Sequence, residues 1–437
     1  MSELRREIGK WGLVALVLNS VIGAGIFGLP ARAFALAGVY SLLAYVVCAV
    51  AILLIVLCFA EVSSRFKETG GPYLYARETF GPLVGFEMGW LAWLVRLTAF
   101  AALCNLFADY FSYFLPMAAA GPGRTAVIVA VVAFLAAINI AGVRLTSMFI
   151  NIATVGKLVP LVLLVVAGSL FIDPQNYSLA VLPSYTGFSG SVLLLMFAFT
   201  GFEIAVIPAG EARDPRRDLP FALLTGTAIV ALLYVAIQAV CIGTLPELAT
   251  SQRPLADVGG RLFGRSGAAL VSLGALISVT GTMNAIMLAA PRLLFAMAEQ
   301  QQLPRLLSAI HSRFRTPHVS IGVSAAGMLV LTLSGSFASA ATLSTIIRLA
   351  TYAATCAALP VLRRKSARDH NAWFVVPAGG IVSTVALLLI AWMFSSSTWT
   401  DAGQALLAGA IGLLLHAVYG WRRRVPGATL DAPSALY

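Results

Sequence analysis

Two stretches of this sequence could bind a ligand through the peptide backbone itself. Residues 18–30, LNSVIGAGIFGLP, place three glycines and a proline close together in apolar sequence. Residues 197–208, FAFTGFEIAVIP, again combine a glycine with a proline, here beside the carboxylate of Glu203. Glycine and proline disfavour a helix interior by about 1 and about 3 kcal/mol respectively. We therefore predict that the helix is interrupted in both stretches.

An interrupted helix offers unpaired peptide groups that suit the two ends of a zwitterion. Unwinding at residues 23–25 would expose N–H groups at a positive helix N-terminus, which suits a carboxylate. Free carbonyls at Val21 and Ile22, and further carbonyls near Phe197 and Thr200, suit an ammonium group. The two together form a receptor for an α-amino acid. The alternative for the first stretch is an unbroken helix whose small residues permit close packing.

The composition defines the solvent in which these elements must fold. Of 437 residues, 59% are hydrophobic and 11% are charged, whereas a soluble domain carries about 25% charged residues. This excludes a soluble enzyme, a disordered chain and a coiled coil, and it indicates a lipid environment. The net charge of +11 is interpreted through membrane orientation, and we predict no nucleic-acid partner.

Twelve segments are apolar over the roughly 20 residues that a membrane-spanning helix needs. They are residues 11–37, 40–62, 83–112, 124–142, 146–171, 189–210, 220–245, 267–298, 319–337, 339–361, 374–395 and 402–420. Most basic residues fall in connections that are cytoplasmic if both termini are, so we predict that orientation in the cell membrane, inner or plasma. The predicted fold is an all-α integral membrane protein with one domain, residues 1–437.

The two interrupted segments are the first and the sixth of the twelve spans. Interruptions at matching positions of two halves are typical of inverted-repeat transporters. We predict one repeat at about residues 11–171 and the second at about 189–362, with the last two helices, about 374–420, outside the repeat.

Four ordered motifs resemble those of the amino acid–polyamine–organocation permeases, which have the leucine-transporter fold. Residues 19–30 resemble G-(S/A)-G-I-F followed by proline, and residues 197–203 resemble F-x-(Y/F)-x-G-F-E. Residues 211–220 resemble E-x-x-(N/D)-P-x-(R/K)-x-(I/L)-P, and residues 292–304 resemble R-x-x-x-A-M-A-x-x-x-x-L-P. The resemblance extends over about residues 11–362. It implies a secondary amino-acid permease that works by alternating access.

The resemblance also implies roles for individual residues. Phe197 matches the aromatic gate over the substrate, Thr200 matches a pocket wall, and Glu203 matches an acid assigned to gating or proton coupling. Lys157 matches a lysine of the fifth span that takes the place of the sodium ion in many members of that family. Its ammonium would then reach the broken first span and a hydroxyl of the eighth, Thr282 or Ser278. The alternative is a purely structural lysine that bridges these helices.

In the family that the sequence resembles, the third span lines the pocket for the substrate side chain. A charged residue such as Arg96 departs from the pattern expected there. Trp93, Arg96 and Phe100 share one helix face by their spacing. Arg96 indicates either a preference for an anionic substrate side chain or second carboxylate, or an internal salt bridge with Glu203 or Glu87. A positive charge here argues against cationic substrates.

The full prediction is a sodium-independent secondary transporter, not an enzyme, with an amino acid as substrate and protons as candidate coupling ions. Amino-acid exchange is the alternative driving force, and a non-transporting amino-acid sensor is disfavoured because no soluble module is present. We predict no cofactor and no metal site, and the sequence has no signature of oligomeric state. The predicted substrate-binding residues are Val21, Ile22, Gly23, Ala24, Gly25, Arg96, Phe100, Phe197, Phe199, Thr200 and Ile286. The predicted coupling and gating residues are Lys157, Phe202, Glu203, Ser278 and Thr282.

Overall fold

The computed structural model of the protein is built from helices. It describes residues 9–66, 71–141, 157–179, 181–206, 212–365 and 372–424. The helices are α1 (Lys10–Val21), α2 (Ala24–Ala37), α3 (Ser41–Ser63), α4 (Gly71–Phe80), α5 (Pro82–Phe111), α6 (Gly121–Ala141), α7 (Lys157–Phe171), α8 (Tyr185–Phe199), α9 (Pro215–Thr244), α10 (Pro254–Glu299), α11 (His318–Ser334), α12 (Phe337–Lys365), α13 (Gly379–Ser395) and α14 (Trp399–Arg424).

Among the described residues, eight helical segments are long and apolar enough to cross a membrane. One of them, Ala24–Ser63, contains α2 and α3, which a short turn at Gly38 separates. The helices α1, α7, α11 and α13 are apolar but shorter. The predicted class, an all-helical multi-pass membrane protein, is confirmed. The predicted spans at 124–142, 146–171 and 189–210 each extend partly outside the described residues.

Large apolar side chains on the outer helix faces explain why the chain needs lipid. Leu232 on α9 and Leu406 on α14 are 74% and 75% exposed, with no protein surface to cover them. Lipid tails can cover such side chains, and the intrahelical hydrogen bonds satisfy the backbone there. Among the long segments, α5 and α8 are the most enclosed and α14 is the least. The polar sites therefore lie near α5 and α8.

Two elements differ from the sequence-based segments. Helix α4 lies between the second and third predicted spans, in sequence that was interpreted as a connection. Helix α10 begins at Pro254 and bends at Phe263 and Gly264, whereas the predicted span began at residue 267. Gly264 has φ +64°, a conformation that glycine adopts without a steric penalty. The bend therefore lies just outside the apolar window.

The two halves of the first predicted span pack against different helices. Helix α1 packs against α9, while α2 packs against α8. Helix α5 contacts both α12 and α10 along its length. The point between α1 and α2 is thus enclosed by helices from both halves of the sequence.

Candidate functional site

The first interruption separates α1 from α2 at two residues. Ile22 has φ −72° and ψ 89°, and Gly23 has φ −129° and ψ −145°, so neither is helical. Helix α2 then begins at Ala24 with no side chain capping its N-terminus. Residues 21–30 are all buried. The first N–H groups of a helix have no intrahelical partner, so α2 presents them to the protein interior.

The second interruption follows α8. The helix ends at Phe199, Thr200 is extended with ψ 159°, and Gly201 has φ +114° before a short 3₁₀ turn at Phe202–Ile204. A residue with a Cβ atom is strained at this positive φ, which explains the glycine. The Gly201 N–H donates a hydrogen bond of 3.0 Å to Glu203 Oε2.

The two interruptions lie against each other. A Cβ atom placed on Gly25 would come 2.4 Å from the Cα of Ala198, in the last turn of α8. A Cβ atom placed on Gly201 would come 2.4 Å from the carbonyl oxygen of Ser20, in the last turn of α1. Both glycines are therefore required by close contact between backbones. The interrupted segments form one site, although they are far apart in the sequence.

The carbonyls at the end of α1 already have protein donors. Lys157 Nζ lies 2.5 Å from the carbonyl oxygen of Asn19 and 2.9 Å from that of Ile22. The Tyr234 hydroxyl donates to the carbonyl oxygen of Val21 at 3.1 Å. The expectation of free carbonyls at Val21 and Ile22 is therefore wrong in this conformation, because residues from α7 and α9 bind them.

Lys157 is 2% exposed and contacts the first span as expected, but it does not bind the hydroxyls of α10. The Thr282 hydroxyl donates instead to the carbonyl of Ser278 at 3.0 Å, and Ser278 Oγ is buried without a hydrogen-bond partner. The Thr282 methyl group lies 4.0 Å from a Cβ built on Gly23. Thr282 thus borders the first interruption, while the predicted bond to Lys157 is absent.

The acceptors at the end of α8 are also distributed differently from the prediction. The carbonyl oxygen of Phe197 accepts hydrogen bonds from the Thr200 N–H at 3.3 Å and from the Thr200 hydroxyl at 2.8 Å. No described residue donates to the carbonyl oxygens of Ala198 and Phe199. Among the described residues, the carbonyls without a donor at this helix end are therefore those of Ala198 and Phe199, whereas the carbonyl of Phe197 is bound by Thr200.

Glu203 is the centre of a buried ion-pair network. Its Oε1 forms a salt bridge with Arg348 of α12, and its Oε2 accepts a hydrogen bond of 2.8 Å from the Tyr352 hydroxyl. Since the same Oε2 accepts from the Gly201 N–H, the network ties α12 to the second interruption. Sequence reasoning missed Arg348 and Tyr352. A cation in the middle of the apolar segment 339–361 was a signal that a partner was needed.

Arg96 is paired with neither of the two acids that the sequence suggested. Its Nη1 donates to the carbonyl oxygen of Ala92, one turn earlier in α5, at 2.7 Å. Glu203 pairs with Arg348, and Glu87 faces α14, where its Oε2 lies 2.5 Å from a Cβ built on Gly412. The suggested salt bridge of Arg96 with Glu203 or Glu87 is therefore absent, and no other described acid pairs with Arg96.

The remaining predicted residues differ in how close they come to the interruptions. Phe197 is 8% exposed and makes an edge contact with the ring of Phe337 at 6.3 Å. Phe199, Phe202 and Phe100 are fully buried, and the first two pack against other aromatic rings. Phe199 and Phe202 flank the second interruption in the sequence, whereas Phe100 lies on α5. Ile286 is partly buried on α10, one turn beyond Thr282.

A second charged cluster lies at the C-terminal end of α3. Glu61 is fully buried and accepts hydrogen bonds from Arg65 at 2.8 Å, from Arg363 at 2.7 and 2.6 Å, and from the Val376 N–H at 2.8 Å. This carboxylate joins α3 to the end of α12 and to the segment before α13. The sequence showed only a mixed-charge connection here.

The fold and the site together define a class. Two helices interrupted at one buried place, in an apolar multi-pass protein, are typical of secondary transporters. The chain belongs to the amino acid permease family, whose family model matches residues 8–415, within the amino acid–polyamine–organocation superfamily. It is a secondary amino-acid transporter, and the resemblance predicted from the four motifs is confirmed.

Curated relatives are similar over nearly the whole chain. The serine/threonine exchanger SteT of Bacillus subtilis (strain 168) is 29% identical, and the alignment covers 96% of this chain and 98% of the relative. The methylthioribose transporter of the same organism is 27% identical over 95% of this chain and 94% of the relative. The branched-chain amino acid permease BcaP, also of that organism, is 26% identical over 95% and 93%. The family therefore includes transporters named for different substrates.

Proposed function

We propose that this permease binds the α-amino and α-carboxylate groups of its substrate between the two interruptions and carries it by alternating access without sodium. The observation that carries the proposal is the N-terminus of α2, which begins at Ala24 inside the protein with no capping side chain. A buried helix N-terminus of this kind binds anions, because its N–H groups and its dipole both favour negative charge. The substrate carboxylate is the anion that an amino acid supplies.

The substrate's ammonium group is proposed to bind the open end of α8. The carbonyl oxygens of Ala198 and Phe199 have no donor among the described residues, and Ala198 packs directly against Gly25. Acceptors therefore lie beside the donors of α2, as a zwitterion requires. Phe197, in the same last turn of α8, is positioned to act as the aromatic gate.

Lys157 supports transport without sodium. Its ammonium group lies at the carbonyls of Asn19 and Ile22, two oxygen acceptors at the interrupted backbone that suit a cation. A side-chain ammonium at this place would make a bound metal ion unnecessary. Protons and exchange are the two remaining driving forces, and the exchanger SteT among the relatives favours exchange.

We further propose twelve crossings of the cell membrane, inner or plasma, with both termini on the cytoplasmic side. Eight long segments become nine when α2 and α3 are counted separately, and α1 joins α2 as the first, interrupted crossing. The shorter helices α7, α11 and α13 complete the twelve. Two repeats at about residues 11–171 and 189–362 would bring the first and sixth crossings together, in agreement with their contact at Gly25 and Gly201.

Purified protein in liposomes tests this proposal. We expect uptake of a labelled amino acid to be the same when choline replaces sodium, and counterflow without a proton gradient identifies exchange. An amino acid should bind at least about tenfold more tightly than its primary amide, which keeps the ammonium group but lacks the carboxylate. Strict sodium dependence would contradict the role of Lys157. Equal binding of the acid and the amide would contradict the site at α2.

A further inference from the structure

We propose that Arg96 and Arg348 form a subsite for a second carboxylate, so that the preferred substrates are amino acids with an anionic side chain. The inference rests on the proposed function, because it assigns the side chain of a substrate whose amino and carboxylate groups bind between the interruptions. It follows from three observations: the lack of an acid for Arg96, a free donor on Arg348, and the position of both beside the second interruption.

Arg96 is a partly buried cation with no counter-ion among the described residues. Within the described part of the chain, its hydrogen bond runs to the carbonyl of Ala92 in its own helix. The other N–H groups of a guanidinium remain available, since arginine has five donors. A charged side chain inside a membrane protein without a partner is energetically expensive, and such residues mark ligand pathways. A ligand carboxylate would supply the missing charge.

One N–H donor of Arg348 has no hydrogen-bond partner among the described residues. The residue is 8% exposed and pairs with Glu203, yet its Nε is buried with no hydrogen-bond partner. One contact places it near Arg96. The Ser344 hydroxyl, one helical turn before Arg348, donates at 3.4 Å to the carbonyl oxygen of Val95, the residue before Arg96.

These three charged groups leave one positive charge in excess. Glu203 neutralises one guanidinium, and the described neighbourhood supplies no second acid, because Glu87 faces α14. The side chains of Arg348 and Glu203 keep 10% and 16% of their surface exposed, so the cluster borders an accessible space. A substrate with one more carboxylate balances the charge, whereas a cationic side chain would be repelled.

The cluster is next to the place where the substrate backbone would bind. Glu203 accepts a hydrogen bond from the N–H of Gly201, and Gly201 contacts Ser20 at the end of α1. The guanidinium groups are therefore linked through one carboxylate to the second interruption. A side chain that extends from an amino acid held between the interruptions toward α5 and α12 would approach the guanidinium groups of Arg348 and Arg96.

The test compares acids with their neutral amides in the purified full-length protein. Thermal unfolding is followed with increasing L-glutamate, L-glutamine, L-aspartate and L-asparagine, since ligand stabilisation reports the dissociation constant. We expect at least one acid to bind about tenfold or more tightly than its amide, the usual gain from one charge-assisted hydrogen bond. This comparison needs no variant and is independent of folding defects.

Two variants then locate the effect. Arg96→Gln should remove the preference for the acid while leaving amide binding within about threefold of the unmodified protein. Arg292→Gln is the matched control, because Arg292 on α10 likewise donates to the carbonyl one turn earlier in its own helix, that of Leu288. It should leave both affinities unchanged.

The outcomes separate this inference from the proposed function. If neutral amino acids stabilise the protein as strongly as the acids do, the anionic subsite is refuted and the backbone site stands. If Arg96→Gln keeps the full acid preference, the subsite is likewise refuted. If no amino acid stabilises the protein, the proposed function itself fails.

Discussion

The contact between Gly201 and the end of α1 can be tested by adding a single methyl group. In Gly201→Ala, the new Cβ would lie 2.4 Å from the carbonyl oxygen of Ser20, and side chains are essentially never found closer than 3.0 Å. The end of α1 must therefore retreat by about 0.6 Å, because the obstacle is backbone and cannot rotate away. The positive φ of +114° adds a strain of about 1–2 kcal/mol for a residue with a Cβ atom.

This displacement separates the two interruptions that are proposed to hold the substrate. We expect the affinity for an amino acid to fall at least about tenfold, the equivalent of one charge-assisted hydrogen bond or about 1.4 kcal/mol. The assay is ligand-dependent thermal unfolding of the purified protein, supported by uptake into liposomes. The same measurements give the unfolding midpoint without ligand, which reports the strain separately.

Gly264→Ala is the matched control for backbone strain. Gly264 also has a positive φ, +64°, but a Cβ placed there has no atom within 4 Å. It should lower the unfolding midpoint without changing the affinity for ligand. If Gly201→Ala binds and transports as the unmodified protein does, the interruptions do not form one substrate site, and the reasoning is refuted.

Two further substitutions test the contacts that hold the site in place. In Glu61→Gln, the buried carboxylate that binds Arg363 loses its charge. We expect the free energy of unfolding to fall by about 2–4 kcal/mol. This is slightly less than is usual when one partner of a buried ion pair is removed, because Arg363 keeps 31% of its side chain exposed. An unchanged midpoint in thermal unfolding would contradict this. In Tyr234→Phe, the hydrogen bond to the carbonyl of Val21 is lost; we expect about 1 kcal/mol of destabilisation and only a small change in affinity. A tenfold or greater loss of substrate binding would show that the hydroxyl contributes to the site more directly.

The sequence located both interruptions to within a few residues. The break predicted at residues 23–25 lies at Ile22 and Gly23, and the break predicted near Gly201 begins at Thr200. Local composition narrows the position because Gly23 and Gly201 lie at the breaks, but it does not fix it, since Gly25, Gly28 and Pro30 lie inside the continuous helix α2. The four motifs were sufficient for the family, since they depend on residue order alone.

The sequence did not predict how the polar groups pair inside the membrane. The sequence leaves open whether Arg96 binds a substrate carboxylate or pairs with Glu203 or Glu87; in the structure Glu203 pairs instead with Arg348, 145 residues further along the chain. The apolar segments contain several cations and several acids, and the local sequence around them does not show which cation pairs with which acid. Only the arrangement of α5, α12 and the second interruption selects between them.

The amino-acid sequence by itself therefore determined the solvent, the class of fold and, to within a few residues, the two places where the helix stops, because each follows from apolar content and from the local cost of glycine and proline. The tertiary structure alone decided which peptide groups at the interruptions have protein partners. Lys157 and Tyr234 come from separate helices to bind the carbonyls of α1, whereas the N-terminus of α2 has no capping side chain. Such contacts depend on the distance and direction between helices, which no local sequence pattern specifies.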